Sequence, residues 1–282
     1  MFQTPFRFAR SYMGPVKACI LDWSGTTVDK YVLAPAVVFV EVFSKFGVPI
    51  TMAESRQPMG LRKDLHIKTI TEMPSVRKRW QEVHGKYPDQ QDVDAMYTEF
   101  VPMQLKVLAQ YSDLIPGCSE ASKRLKYELG CQIGVTTGFC RNMVDIILPL
   151  AKKQGFAPDA DVTGDEVMNG VRPKPFMLYR NLEMLDVKDI HAVVKVDDTV
   201  VGIGEALSAG CWAVGVARYS NYMDIDSLEA ESMLDVMELE QRLHHSRSIL
   251  SQGGAHYVID SIADLPEVVA SINQRLAKGE KP

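Results

Sequence analysis

The residues of this chain best suited to chemistry fall in four short stretches, each just after an apolar run or in a loop rich in proline and glycine. The first is Asp22-Trp23-Ser24-Gly25-Thr26-Thr27, the second Thr136-Thr137-Gly138, the third Arg172-Pro173-Lys174-Pro175 and the fourth Asp197-Asp198-Thr199. A carboxylate, a hydroxyl, a cation and an acid pair together describe a site for Mg²⁺ and a phosphoryl group. Carboxylates hold the hard cation, while hydroxyls, backbone N–H groups and Arg172 take up the anion's oxygens. Any one of these aspartates alone reads as a turn or helix-cap residue. A fifth stretch, "QPMGLRKDLHIKTITEMP" at 57 to 74, places Lys63 and His66 three apart at the start of a helical pattern, hence on one face. Lysine condenses with an aldehyde to an iminium, an electron sink for an adjacent breaking bond, and histidine can move protons during that condensation. On spacing alone, the plainer reading of Lys63 is a solvated helix cation, and that of His66 a surface or capping residue.

These residues need a scaffold that gathers the ends of strands. Runs at 17 to 21, 131 to 136, 191 to 196 and 211 to 216 are short, apolar and rich in valine and isoleucine, and helical patterns at 118 to 129, 140 to 154, 175 to 186 and 200 to 209 separate them. Such alternation implies βαβ units and a parallel sheet, an α/β fold whose ligands bind at the carboxyl ends of the strands. Between the first two runs the alternation stops. Helical patterns at 35 to 46, 62 to 70, 75 to 86 and 90 to 112 predict an inserted helical cap at 34–114, leaving 1–33 and 115–282 as the core. The tail adds a helical pattern at 225 to 252, a strand near 256 to 259 and a last helix at 262 to 277. The acids and bases of 229 to 247 read as a solvated amphipathic helix, in which the adjacent His244 and His245 cannot share a face as metal ligands.

The totals narrow the class. A chain of 282 residues with 46% hydrophobic and 24% charged residues is an ordinary globular protein, and a net charge of −5 argues against nucleic acid as a partner. No apolar run approaches the roughly 20 residues that span a bilayer. Five scattered cysteines, Cys19, Cys118, Cys131, Cys140 and Cys211, form no C-x-x-C pair, which speaks against disulfides and zinc and for a reducing, cytoplasmic setting. The first 21 residues carry Arg7, Arg10 and Lys17 and no acid, a weak organelle-targeting pattern without a clear amphipathic stretch or cleavage site.

Taken together, the four motifs resemble the ordered signature of the haloacid dehalogenase superfamily over nearly all of residues 17 to 216. The resemblance implies a doubly wound, Rossmann-like core. It makes Asp22 the nucleophile that becomes an aspartyl phosphate, gives Mg²⁺ to Asp22, the Ser24 carbonyl and Asp198 with Asp197 supporting, and places Thr26, Thr137, Gly138 and Arg172 on the phosphoryl group. Most phosphatases and mutases of that superfamily carry a second aspartate where Ser24 stands, to protonate a leaving alkoxide. Serine cannot do so at neutral pH, so either activity is lost or the bond broken leaves no alkoxide. The motifs P-M-G-L-x-K-x-x-H, D-W-x-G-T-T-V-D and R-P-x-P, with "GGAHYVIDSIADL" in the tail, are similar to the phosphonoacetaldehyde hydrolases, or phosphonatases, of phosphonate catabolism. That likeness implies a Schiff base on Lys63, His66 as its proton carrier, Met59 and Gly60 in the substrate loop, and a homodimer.

Four positions depart from the phosphonatase pattern: Ser24 for alanine, Phe139 for tyrosine, Val32 for cysteine, and Gly202 where G-D-x-x-x-D places a second acid. The Asp197-Asp198 pair with Gly202 instead resembles the fourth motif of β-phosphoglucomutase-like members. A phosphate-ester phosphatase or phosphomutase on the same fold, and a non-catalytic relative, are therefore the competing readings. The apolar stretch "APAVVFVEVF" at 34 to 43 shows valine and phenylalanine on more than one side, which packing within the cap or an exposed dimer contact would each explain.

Overall fold

The computed structural model describes residues 11–282, so the part of the cationic leader pattern that falls on 1–10 lies outside the described residues. The apolar runs become parallel strands of one six-stranded sheet: β1 (Ala18–Leu21), β2 (Gln132–Thr137), β3 (Ala160–Thr163), β4 (Val193–Asp197), β5 (Trp212–Val216) and β6 (Tyr257–Ile259). Their spatial order is β3-β2-β1-β4-β5-β6. Every residue of β1, β4 and β5 is buried, which is why these strands read as continuous apolar runs and not as alternating ones. Leu21 of β1 sits between Val135 of β2 and Val196 of β4. The chain leaves β1 outward to β2 and β3, then returns to the other side at β4. The order thus reverses at β1, and the carboxyl ends of β1, β2 and β4 meet at the switch point where such sheets bind ligands.

Strand β3 has no counterpart in the sequence reading. It pairs with β2 alone, and its Asp161 is only half-buried and ion-paired to Arg141, so this edge strand lacks a long apolar run.

Six helices separate β1 from β2, the first five being α1 (Leu33–Lys45), α2 (Met52–Arg56), α3 (Lys63–Glu72), α4 (Pro74–His84) and α5 (Gln90–Val107). The short α2 was not expected, although Thr51-x-x-Glu54 announces it. Thr51 Oγ1 accepts the Glu54 N–H at 3.0 Å while Glu54 Oε2 accepts the Thr51 N–H at 3.0 Å. Helix α1 buries Leu33, Ala34, Ala36, Val38, Phe39, Val42 and Phe43, with Phe39 stacked on Phe100 of α5 at 4.5 Å and only Val37 and Val40 partly open. Of the two explanations offered for this two-sided apolar character, packing within the helices accounts for it, through α5 above all.

The remaining helices are α6 (Cys118–Lys123), α7 (Arg141–Lys153), α8 (Phe176–Met184), α9 (Val200–Ala209), α10 (Leu228–Met233), α11 (Val236–Gln252) and α12 (Leu265–Ala277). The single pattern expected at 225 to 252 is two helices. Leu234 is extended and Asp235 starts α11 afresh, its Oδ1 accepting the Glu238 N–H at 2.8 Å. Among the described residues no helix is long and apolar enough to cross a membrane.

Between β1 and α1 the chain takes an unusual path. Asp29, Tyr31 and Val32 have φ of 56°, 64° and 56°, a left-handed conformation that costs a residue with a Cβ about 1–2 kcal/mol. Fixed contacts hold it there. Asp29 Oδ1 accepts the N–H groups of Leu33 and Ala34 at the start of α1 (3.0 and 3.1 Å), and the Tyr31 N–H donates to Tyr219 O at 2.8 Å.

Phe100 joins α5 to α1 and is fully buried, so Phe100→Ala should destabilise the protein by about 3–5 kcal/mol in urea unfolding. A loss under about 1 kcal/mol would show that the helices between β1 and β2 do not share one packed interior.

Candidate active site

Asp22 follows β1 directly, and its N–H continues the sheet by donating to Val196 O at 3.0 Å. Thr27 Oγ1 ties off the turn, donating to the carbonyls of Asp22 (2.9 Å) and Trp23 (3.0 Å). Asp198 stands across from it just after β4. Asp198 Oδ2 accepts the Asn221 N–H at 3.0 Å, its backbone carbonyl accepts Ser220 Oγ at 2.8 Å, and Oδ1 is buried without a partner.

Oxygens of Asp22, Asp197 and Asp198 lie within 4.8 Å of one another. Burial, together with the neighbouring charges of Asp197 and Asp22, pushes the Asp198 carboxyl well above the usual carboxylate range. Burial also raises Asp22, against the opposing pull of Arg172. Hard oxygen donors crowded so closely, one of them orphaned, suit a divalent cation.

Asp197 is differently placed. Its Oδ2 accepts Lys195 Nζ at 2.8 Å and is ion-paired with Arg172 Nη1 at 3.2 Å, while its Oδ1 accepts Thr199 Oγ1 at 2.7 Å. Burial works against its charge, but Arg172 and Lys195 outweigh it and hold the carboxyl below its usual value. Its side chain also explains Gly202: a Cβ on that glycine would come within 1.8 Å of Asp197 Cγ. The position of the missing second acid is filled by the carboxylate of Asp197.

Arg172 is fully enclosed beneath these acids. Nη2 donates to Asp22 Oδ1 (2.7 Å), Thr136 O (2.7 Å) and Thr136 Oγ1 (2.6 Å), and Nε to Glu205 Oε2 (3.0 Å). Lys195 and Glu205 were missed in the sequence. Each is a single charge within an apolar run, "VVKVD" and "VVGIGEALSA", and that incongruity is the signal that would have found them. Asn221 and Ser220 sit in a polar loop that carries no such mark.

The helices between β1 and β2 close this floor from above. Gly60, at φ 96°, meets Thr199 so closely that a Cβ would lie 2.7 Å from its Oγ1, and a Cβ on Gly138 would lie 2.6 Å from Leu61 O. Lys63, the first residue of α3, is buried, with Nζ 4.8 Å from the centre of the Phe139 ring. Burial lowers its affinity for a proton, to a pKa of about 8, although Asp22 pulls the other way. Neither Lys63 nor His66 is on the surface, contrary to the plainer reading of each.

Asp22, Ser24, Met59, Gly60, Lys63, Thr137, Gly138, Arg172 and Asp198 line one cleft, with Val32, Phe139 and Thr199. Thr26 and His66 lie outside that lining. The Thr26 hydroxyl is buried without a partner. His66 stacks on Phe39 at 3.9 Å, and its Nε2 is 2.7 Å from Ser55 O. Burial, and then Lys63, keep the imidazole neutral, with Nδ1 unpartnered.

A model of the haloacid dehalogenase-like hydrolases matches residues 16–210. The sequence is 40% identical to the phosphonoacetaldehyde hydrolase of Nitratidesulfovibrio vulgaris over 278 residues, covering 99% of this chain and 98% of that one. It is 43% identical to that of Paraburkholderia xenovorans over 270 residues, covering 96% and 100%. A crystal structure described as a phosphonoacetaldehyde hydrolase-like protein from Oleispira antarctica superposes with a TM-score of 0.94 at 38% identity, covering 99% of this chain and all of the other. The chain belongs to the phosphonoacetaldehyde hydrolase family. Phosphonoacetaldehyde hydrolases are thus its relatives over both the sheet and the helices above it, not over the nucleotide-fold core alone.

The position of Lys63 has a measurable cost. Below pH 8 the lysine is charged in both folded and unfolded chains and its burial penalty is felt in full. As pH rises from about 8 toward the ordinary lysine value of 10.5 the unfolded chain alone stays protonated, and the penalty fades. Lys63→Met should therefore be more stable than wild type in urea at pH 7, with the difference closing by pH 10. An equal difference at both pH values would show that the amine is not desolvated.

Proposed function

We infer that this chain hydrolyses the carbon–phosphorus bond of phosphonoacetaldehyde to acetaldehyde and phosphate. One observation carries the reading: a desolvated lysine amine enters the same cleft as the carboxylate of Asp22, and no second acid stands at position 24. Lys63 with a pKa of about 8 holds roughly a tenth of its amine uncharged at pH 7, where an ordinary lysine holds well under a thousandth. The free amine adds to the aldehyde carbonyl and loses water, giving an iminium. Asp22 Oδ1 is held by Arg172, which directs Oδ2 to phosphorus. As the oxygen–phosphorus bond forms, the carbon–phosphorus pair flows into the iminium, and carbon departs as an enamine that needs no proton from residue 24. Protonation and hydrolysis of the imine release acetaldehyde, and water frees phosphate from Asp22.

His66, one turn from Lys63 with Nδ1 free, is assigned the proton moved during imine formation. Thr137, Gly138 and Arg172 are assigned to the phosphoryl oxygens, and Met59 and Gly60 to the substrate loop. Mg²⁺, held by Asp22, Asp198 and the Ser24 carbonyl with Asp197 behind them, supplies the charge that neutralises the phosphoryl oxygens. Residues 34–114 serve as a cap over a core of 1–33 and 115–282. The cap opens to admit substrate and shuts to keep bulk water from the imine. Five unpaired thiols suit a reducing compartment, the cytoplasm.

Borohydride added during turnover should link the two-carbon fragment to Lys63, and Lys63→Arg should abolish both trapping and acetaldehyde release. Trapping should rise with pH toward a plateau above about 8, as the amine loses its proton. Chelation should stop phosphate release and Mg²⁺ restore it. An active preparation whose Lys63 stays unmodified would overturn the mechanism, and p-nitrophenyl phosphate turning over faster than phosphonoacetaldehyde would favour a phosphate-ester hydrolase.

A further inference from the structure

Arg56, the last residue of α2, is a second enclosed guanidinium, 3% exposed, and it lies outside the cleft lining. Its Nη1 donates to Tyr31 O at 2.7 Å and to Asn221 Oδ1 at 3.3 Å, and its Nη2 donates to Ile225 O at 2.6 Å. Nε faces the exposed carboxylate of Asp226 at 3.5 Å. The Arg56 carbonyl in turn accepts Asn221 Nδ2 at 3.1 Å and the Met59 N–H at 3.1 Å. One residue therefore joins three pieces of chain: the left-handed passage before α1, the loop at 220–226, and the α2 end that leads into Met59 and Gly60.

What those pieces hold makes the junction more than packing. The N–H of Asn221, the residue Arg56 grips through side chain and carbonyl, is the donor to Asp198 Oδ2 at 3.0 Å. On the other side Ser55, the neighbour of Arg56, offers its carbonyl to His66 Nε2 at 2.7 Å, on the helix that begins with Lys63. Hydrogen bonds, joined by the Ser55–Arg56 peptide link, thus run from the helix of the amine through Arg56 to the carboxylate at the sheet end. Its acceptors at Tyr31, Asn221 and Ile225 diverge, which a planar fork of donors satisfies and a single ammonium does not.

We propose that Arg56 is a positioning residue: by clamping the 221–225 loop to the end of α2 it sets the orientation of the Asp198 carboxylate and, together with it, the seating of Met59, Gly60 and Lys63 over Asp22. Removing the guanidinium leaves the buried carbonyls of Tyr31 and Ile225 without donors, so the loop and the α2 end separate locally. Partners standing behind metal-binding groups typically carry 10–100-fold in affinity or rate, and an effect of that size is expected here. The activity part of this proposal rests on the function inferred above. The structural part does not.

The test compares wild type with Arg56→Met and Arg56→Lys. Hydrogen–deuterium exchange should accelerate several-fold at both 52–60 and 220–226 in each variant, with β1 and β4 unchanged. Calorimetric titration with Mg²⁺ alone should show about 10–100-fold weaker binding. In turnover, kcat should fall by a similar factor while KM changes less, and lysine should not rescue. A residue that merely stabilised the fold would shift the unfolding midpoint and leave Mg²⁺ affinity and local exchange in the folded protein alone, and that result would overturn the proposal. Should Arg56→Met fail to fold, Arg56→Lys decides by the same readouts, and wild-type values in it overturn the clamp. If wild type does not cleave phosphonoacetaldehyde, the inferred function falls while exchange and Mg²⁺ binding still decide the role of Arg56.

Discussion

The guanidinium of Arg172 is almost wholly buried and touches the carboxylates of Asp22, Asp197 and Glu205 as well as both oxygens of Thr136. Burial works against its charge, and those three acids outweigh burial and hold the guanidinium above its ordinary value. Charges taken this far from solvent are tolerated only when each is met by another in good geometry. With Lys195 paired to Asp197, that condition gives every acid of the floor except Asp198 a fixed cationic neighbour. The sheet end is thus a rigid lattice of opposed charges in which Asp22 has one oxygen occupied and one to spare, and Asp198 alone is left underused. The orientation of the Asp22 carboxylate follows from where this one guanidinium is anchored.

Above the floor the logic is inverted. The helices above it contribute Lys63, set between the Phe39 ring of α1 and the Phe139 ring that follows β2. Phe39 and Phe139 flank it, and among the described residues no carboxylate comes within ion-pair distance. An environment that discourages charge is what a nucleophilic amine needs. The same apolar shell keeps His66 neutral. The sheet end therefore gathers charged groups, and the helices above it bring a desolvated amine to them.

Much of this was readable beforehand, for physical reasons. Buried parallel strands such as "ACIL" and "VVKVD" cannot hide their apolar character, and chemistry at a switch point must sit immediately after such runs, so Asp22, Thr137 and Asp198 were visible. Lys63 was visible only through its likeness to known motifs, because its spacing fits a solvated helix equally well. Elements governed by local hydrogen bonds at edges were harder. Strand β3 has one neighbour and an acid in its middle, and the break between α10 and α11 depends on a single cap at Asp235. What the sequence concealed most completely were long-range partners such as Asn221 and Arg56, whose roles depend on contacts across more than a hundred residues of chain. The apolar faces of α1 left two readings open for a related reason, since periodicity states that a surface is buried and not what buries it.

The close fit between Asp197 and Gly202 also constrains how such a chain changes over generations. A side chain at 202 and a carboxylate at 197 contend for the same space, so these two positions are not free to vary independently. Introducing an acid at 202 while Asp197 remains would force one carboxylate out of the lattice, and removing Asp197 first would leave Glu205 as the one acid that Lys195 and Arg172 share. Exchange between the two arrangements therefore calls for a simultaneous change at both positions.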